Sequence, residues 1–198
     1  MDDQQALLAA VLEFPQQDAP RLIYADWLDE HGDAARAEFI RVSIELEWRP
    51  YSERRTAHYR DTLVRFRALV SAHRAGWVAP FTAEPTRALF RRGFLEWARL
   101  TADEVVRIED AALALEPVFE LEVFGPYPWQ GGAPPSGDAA LRRLAAWPGR
   151  GRFRTVVLSG LTISYAALAE LRAAPVAAGA RVDAHECRMT GPRPGSAP

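Results

Sequence analysis

The chain has 198 residues, 48% of them apolar and 25% charged, which is enough for one sizeable core or two small ones. Its single cysteine, Cys187, excludes an internal disulfide and a cysteine-built zinc finger. No run approaches the roughly 18 uninterrupted apolar residues of a membrane span, and Met1-Asp2-Asp3 does not open like a signal peptide, so a soluble, cytoplasmic protein without membrane contact is expected. The net charge of −2 hides an asymmetry: residues 1–40 hold nine acids and two arginines, 41–92 eleven arginines and five acids, 93–198 eleven arginines and twelve acids. The adjoining acidic and basic blocks are free to attract each other or to face two partners. All 24 basic residues are arginine, which beside the many Ala and Pro reads as codon bias.

In chain order, Leu7, Leu8, Val11 and Leu12 predict a helix over 3–13, stopped by Pro15. Asp18 is the expected N-cap of a second helix with Pro20 in its first turn, an apolar stripe of Leu22, Ile23, Trp27 and Leu28, and a stop at Gly32. Asp33 caps a third helix carrying Phe39, Ile40, Ile44 and Leu46 as far as Trp48. A fourth, over 52–73, aligns Tyr59, Leu63, Phe66, Leu69 and Val70, with Arg54, Arg55, Arg60, Arg65, Arg67 and Arg74 on its other side. Residues 1–75 thus read as a small helical domain, and 76–92 as a connector broken by Gly76, Pro80 and Pro85.

Beyond it, 93–189 reads as strand–helix units. Gly93–Leu100 is a strand whose two alternating sets, Phe94, Glu96, Ala98, Leu100 and Leu95, Trp97, Arg99, give no clear inner face. Thr101 and Glu104 form a capping box for a helix to Leu115. Val118, Leu121 and Val123 mark the next strand, 125–137 a Pro/Gly-rich insertion containing Tyr127 and Trp129, and 138–147 a helix. Phe153, Val156, Leu158, Leu161 and Ile163 mark another strand and bend, Leu168 and Leu171 a helix stopped by Pro175, and 182–187 a last strand. The tail 190–198 is expected to be disordered. The fold class is α+β: an N-terminal helical domain, then a short α/β unit with a parallel sheet.

Two resemblances attach to these residues. The string DAPRLIYADWLDEHGD (18–33) with RAEFIR (36–41) resembles the bacterial repeat-companion domain over about residues 3–46, and RGFLE (92–96) resembles the start of the repeat region in such proteins. The spacing of 153–163 is similar to that of a leucine-rich repeat, L-x-x-L-x-L-x-x-N-x-L, with Leu161 at the Asn position. The resemblance implies a companion domain followed by a degenerate leucine-rich-repeat-like solenoid, whose units bury their apolar faces only against neighbours. It implies no activity and no cofactor.

Candidate chemistry is sparse. His185 and Cys187 stand two apart, on one face if the strand runs through both, but a metal site needs further ligands, so none is assigned. Asp26, Asp29, Glu30, His31 and Asp33 gather at one helix end with no nucleophile or phosphate loop, which favours a solvated face over acid–base work. The expectation is a non-enzymatic protein-interaction module acting as adaptor, inhibitor or regulatory subunit. Its partner-facing residues are Phe119, Glu120, Glu122 and Phe124 on one strand, Arg154, Thr155 and Val157 on the next, and Tyr127 and Trp129 in the insertion. The alternative is a nucleic-acid-associated regulator using the arginine-rich helix 52–74.

Overall fold

The computed structural model describes residues 3–84, 87–125, 133–147 and 153–193. Among these residues the architecture is mixed α/β, with eight α-helices, a helical N-terminus and a mostly parallel five-stranded sheet. The helical part comprises α1 (Asp3–Glu13), α2 (Ala19–Glu30), α3 (Ala34–Glu47) and α4 (Ala57–Val78), with a 3-10 segment over Tyr51–Arg55. Asp33 caps α3 as expected, its carboxylate accepting from the Arg36 N–H at 3.1 Å. Asp18 does not cap α2 with its side chain; that carboxylate lies 3.4 Å from Arg92 instead.

The buried stripe of α2 also differs from expectation. Leu22 and Ile23 are exposed, whereas Arg21, Tyr24, Ala25 and Leu28 are buried. The cause lies outside the helix: Arg21 finds a buried carboxylate and an aromatic face, so the helix turns a charged residue inward. In α4, only Thr62 and Val78 are buried, and Leu63, Phe66, Leu69 and Val70 are half-covered, so this helix lies at the periphery.

β1 (Ala88–Arg91) and β2 (Phe94–Thr101) form an antiparallel hairpin. Its two-residue turn, Arg92 at φ 46° and Gly93 at φ 83°, has the left-handed pair of angles that matches strand twist. β1 falls inside the stretch expected to be only a connector. β3 (Glu120–Phe124), β4 (Thr155–Ser159) and β6 (Arg181–His185) then join β2 in parallel, in the order β1-β2-β3-β4-β6. β5 (Thr162–Ser164) and β7 (Arg188–Thr190) make a second, two-stranded parallel sheet. Thr190, expected in the tail, therefore belongs to a strand.

The long helix expected over 102–115 is two short ones, α5 (Ala102–Arg107) and α6 (Asp110–Leu115). The capping box of Thr101 and Glu104 is present. Ile108 is extended, with its side chain buried in the sheet core and its carbonyl accepting from Arg143 at 2.9 Å. Tertiary packing thus overrides the local helical preference there. α5, α7 (Asp138–Ala145) and α8 (Tyr165–Ala173) line the inner face of the sheet, where Ala98, Leu100, Leu121, Val123, Val156 and Leu158 are buried with Val105, Leu141, Leu144, Leu168 and Leu171.

β2 serves two cores and carries a bulge. Leu89 lies opposite Trp97, but Phe90 lies opposite Leu95, which leaves Glu96 as the extra residue. The bulge switches the phase of alternation. Past it, Ala98 and Leu100 face the sheet core. Before it, Leu95 enters that core while Phe94 packs among Leu8, Val11, Tyr24, Ala25, Ala37 and Ile40 of the helices. Both alternating sets therefore contain buried residues, which is why neither dominates in the sequence.

Candidate functional site

The parallel registers place the outward side chains in straight rows. One row runs Leu89, Trp97, Glu120, Thr155, Arg181; the next runs Arg99, Glu122, Val157, Asp183. A third runs Thr101, Phe124, Ser159, His185. Trp97, Glu120, Glu122, Phe124, Thr155 and Val157 are all half-exposed, and Leu89 and Arg181 are exposed. This face is thus neither a packed core nor a plainly solvated surface.

Its aromatics are matched with guanidinium groups. Phe124 lies between Arg99, 4.4 Å from its ring centroid, and Arg87, at 4.8 Å. Arg99 also reaches Glu122, Nε to Oε1 3.1 Å, and Ser159 donates to the same carboxylate at 3.2 Å. At the other end of the strands Arg154 lies 4.5 Å over Phe119. Phe119, expected on the exposed side, is buried beneath that guanidinium, so Arg154 is the member of the pair that meets solvent. With the Gln16 amide turned oxygen-inward, it accepts from both terminal nitrogens of Arg154, at 3.1 and 3.2 Å. Of the sequence candidates, Glu120, Glu122, Phe124, Thr155 and Val157 share the outward rows, and Phe119 with Arg154 closes one end. Tyr127 and Trp129 lie outside the described residues.

A second constellation links the helices to the hairpin, and its contacts were not anticipated from the sequence. Arg21, fully buried, donates to Glu96 at 2.7 Å and to the Pro15 carbonyl at 3.1 Å, with its guanidinium 5.0 Å from the Phe94 ring. Burial lowers the pKa of Arg21 and raises that of Glu96. Arg36 pairs with Glu116 within an aromatic cage, at 5.0 Å from Trp77, 5.2 Å from Phe90 and 5.7 Å from Phe94. The other Glu116 oxygen accepts from the Leu95 N–H at 2.7 Å. Arg92 donates to the Pro15 and Gln16 carbonyls at 2.6 and 3.1 Å. Gly93 sits so close to α3 that a Cβ there would come 2.4 Å from the Ile40 Cα. The two segments quoted for the companion-domain resemblance, 18–41 and 92–96, therefore meet in space.

The charge blocks also meet. Arg41 pairs with Asp26 at 2.7 Å and Asp29 at 3.2 Å, and Arg65 pairs with Glu38. His31 stacks on Trp27 at 4.0 Å, with Nδ1 2.7 Å from the Trp27 carbonyl. Asp26, Asp29, His31 and Asp33 are thus engaged in ion pairs, a stack and the α3 cap, and Glu30 is exposed. His185 and Cys187 do not share a strand: β6 ends at His185, and Glu186 at φ 51° turns the chain. Burial raises the pKa of the Cys187 thiol. Among the described residues no group of His, Cys, Asp or Glu is placed to hold a metal ion, and no helix is long and apolar enough to cross a membrane. No family model, curated protein or solved structure matches the chain.

Proposed function

We propose that this chain is a non-enzymatic, cytoplasmic protein-interaction module, an adaptor, inhibitor or regulatory subunit, built from a repeat-companion unit and degenerate leucine-rich-repeat-like coils. The observation that carries the reading is the open sheet face, where four parallel strands align aromatic, acidic, arginine and small polar side chains in half-exposed rows. Such a mixture of aromatic anchors and polar rim suits a protein surface. The insertion bearing Tyr127 and Trp129, outside the described residues, follows β3 in the sequence and is included in the proposed partner-binding set.

The test is affinity capture from host lysate at low and high salt, with nuclease-treated controls. It is repeated with a variant combining Glu120→Lys, Glu122→Lys, Arg154→Glu and Trp129→Ala. One stoichiometric protein retained by the wild type at high salt and lost by the variant supports the reading. Equal retention by a variant with unchanged circular dichroism overturns the site. The alternative, a nucleic-acid regulator, draws on the exposed Arg54, Arg55, Arg60 and Arg67 of the 3-10 segment and α4. It requires DNA or RNA binding that falls steeply with salt.

A further inference from the structure

The outer face contains a repeated arrangement. On it or at its end, Phe119 and Phe124 each carry an arginine of the same chain, and Glu122 binds the arginine that covers Phe124. One row away, Trp97 stands opposite Glu120 in the parallel register. Among the described residues, no guanidinium lies over Trp97 and no ion-pair partner reaches Glu120. Both side chains are half-exposed, so each remains reachable from solvent. They line an open groove with Arg74, Ala88 and Leu89. The Arg74 guanidinium is engaged with the Ala88 carbonyl and stands 6.0 Å from the Phe90 ring centroid. Leu89, 44% exposed and cross-strand from Trp97, adds an aliphatic wall.

We infer that this groove receives an arginine or lysine side chain from the protein partner, and the inference rests on the reading of this face as the partner surface. The carboxylate supplies charge complementarity, the indole a face for the cation, and Leu89 a surface for the methylene stem. The Arg99–Glu122–Phe124 cluster is the intramolecular counterpart of the proposed contact, a guanidinium held between a glutamate and an aromatic ring on the same sheet.

The inference is tested with small probes on the intact chain. N-acetyl-arginine amide and N-acetyl-lysine amide are titrated against protein labelled with nitrogen-15 in its indoles. The Trp97 signal is assigned by its loss in Trp97→Phe, and N-acetyl-citrulline amide serves as the neutral isostere. A saturable shift of the Trp97 signal with the cationic probes, absent with citrulline, is expected. Glu120→Gln, a near-isosteric change at a half-exposed position, should weaken the binding at least about fivefold, the scale of one modest charged contact. Trp97→Leu, followed through backbone amides of β2 and β3, should weaken it similarly. No shift at Trp97, or equal affinity in Glu120→Gln, overturns the inference. The two readings fail separately. A captured protein that binds Glu120→Gln as tightly as wild type, yet is lost by the multiple face variant, removes the cation site and keeps the surface.

Discussion

Gly93→Ala tests the closure of the helices on the hairpin more directly than any charge change. Gly93 has φ 83°, so a side chain there costs about 1–2 kcal/mol from backbone conformation alone. The added Cβ would also meet Ile40 at Cα 2.4 Å, Cγ1 2.5 Å and Cβ 2.8 Å. The nearest of these is α3 backbone, which moves only if the helix moves, so overpacking adds about 1–3 kcal/mol. The total, about 2–5 kcal/mol, is a large part of the 5–15 kcal/mol by which domains are usually stable. Gly32 is the internal control: its φ is 89°, yet nothing lies within 4 Å of its Cβ position. Gly32→Ala should therefore lose only the conformational part. Urea unfolding followed by circular dichroism gives both values at once. If Gly93→Ala loses no more than Gly32→Ala, α3 does not rest on the hairpin turn and the description of the interface is wrong.

Three further outcomes follow from the same interface and its neighbours. Glu116→Ala leaves Arg36 buried without its carboxylate and should cost about 3–5 kcal/mol in urea unfolding, whereas Arg36→Met with Glu116→Leu should recover part of that loss, the buried Leu95 N–H remaining unpaired. Phe94→Ala empties the only β2 position in the helical core and should cost about 3–5 kcal/mol in the same assay, destabilising α1–α3 in amide hydrogen exchange. Glu104 is subject to burial, which raises its pKa, but hydrogen bonds from the Thr101 N–H and from Thr82 and Thr101, with Arg87 nearby, outweigh this and hold it below the usual carboxylate range. A carboxyl depressed in the folded state stabilises above its unfolded pKa and loses that contribution as pH falls through the folded value. Thermal unfolding from pH 7 to pH 2 should therefore show a shallower acid loss in Glu104→Gln than in wild type, and an equal slope would refute the assignment.

How far the fold could be read from the sequence depended on how local its causes were. The Asp33 cap, the Thr101–Glu104 capping box and the Leu121/Val123 and Val156/Leu158 alternation are settled within a few residues, and each appears in the structure. The exceptions have partners far along the chain. Arg21 turns inward because Glu96, 75 residues away, receives it, and this displaces the buried stripe of α2. Helix 102–115 breaks because Ile108 is needed by the sheet core and its carbonyl by Arg143. The phase of β2 was illegible because one bulge shifts its alternation: Leu95 before it and Ala98 and Leu100 after it face the sheet core, while Phe94 enters the helical one. Of the candidate site, the rows through Glu120, Glu122, Thr155 and Val157 could be read from alternation in β3 and β4. Trp97 could not, since its outward direction is set by the register beyond the bulge. The same bulge that obscured the inner face of β2 therefore also places Trp97 opposite Glu120, so that altering the bulge should disturb both the helical core at Phe94 and the groove at Trp97.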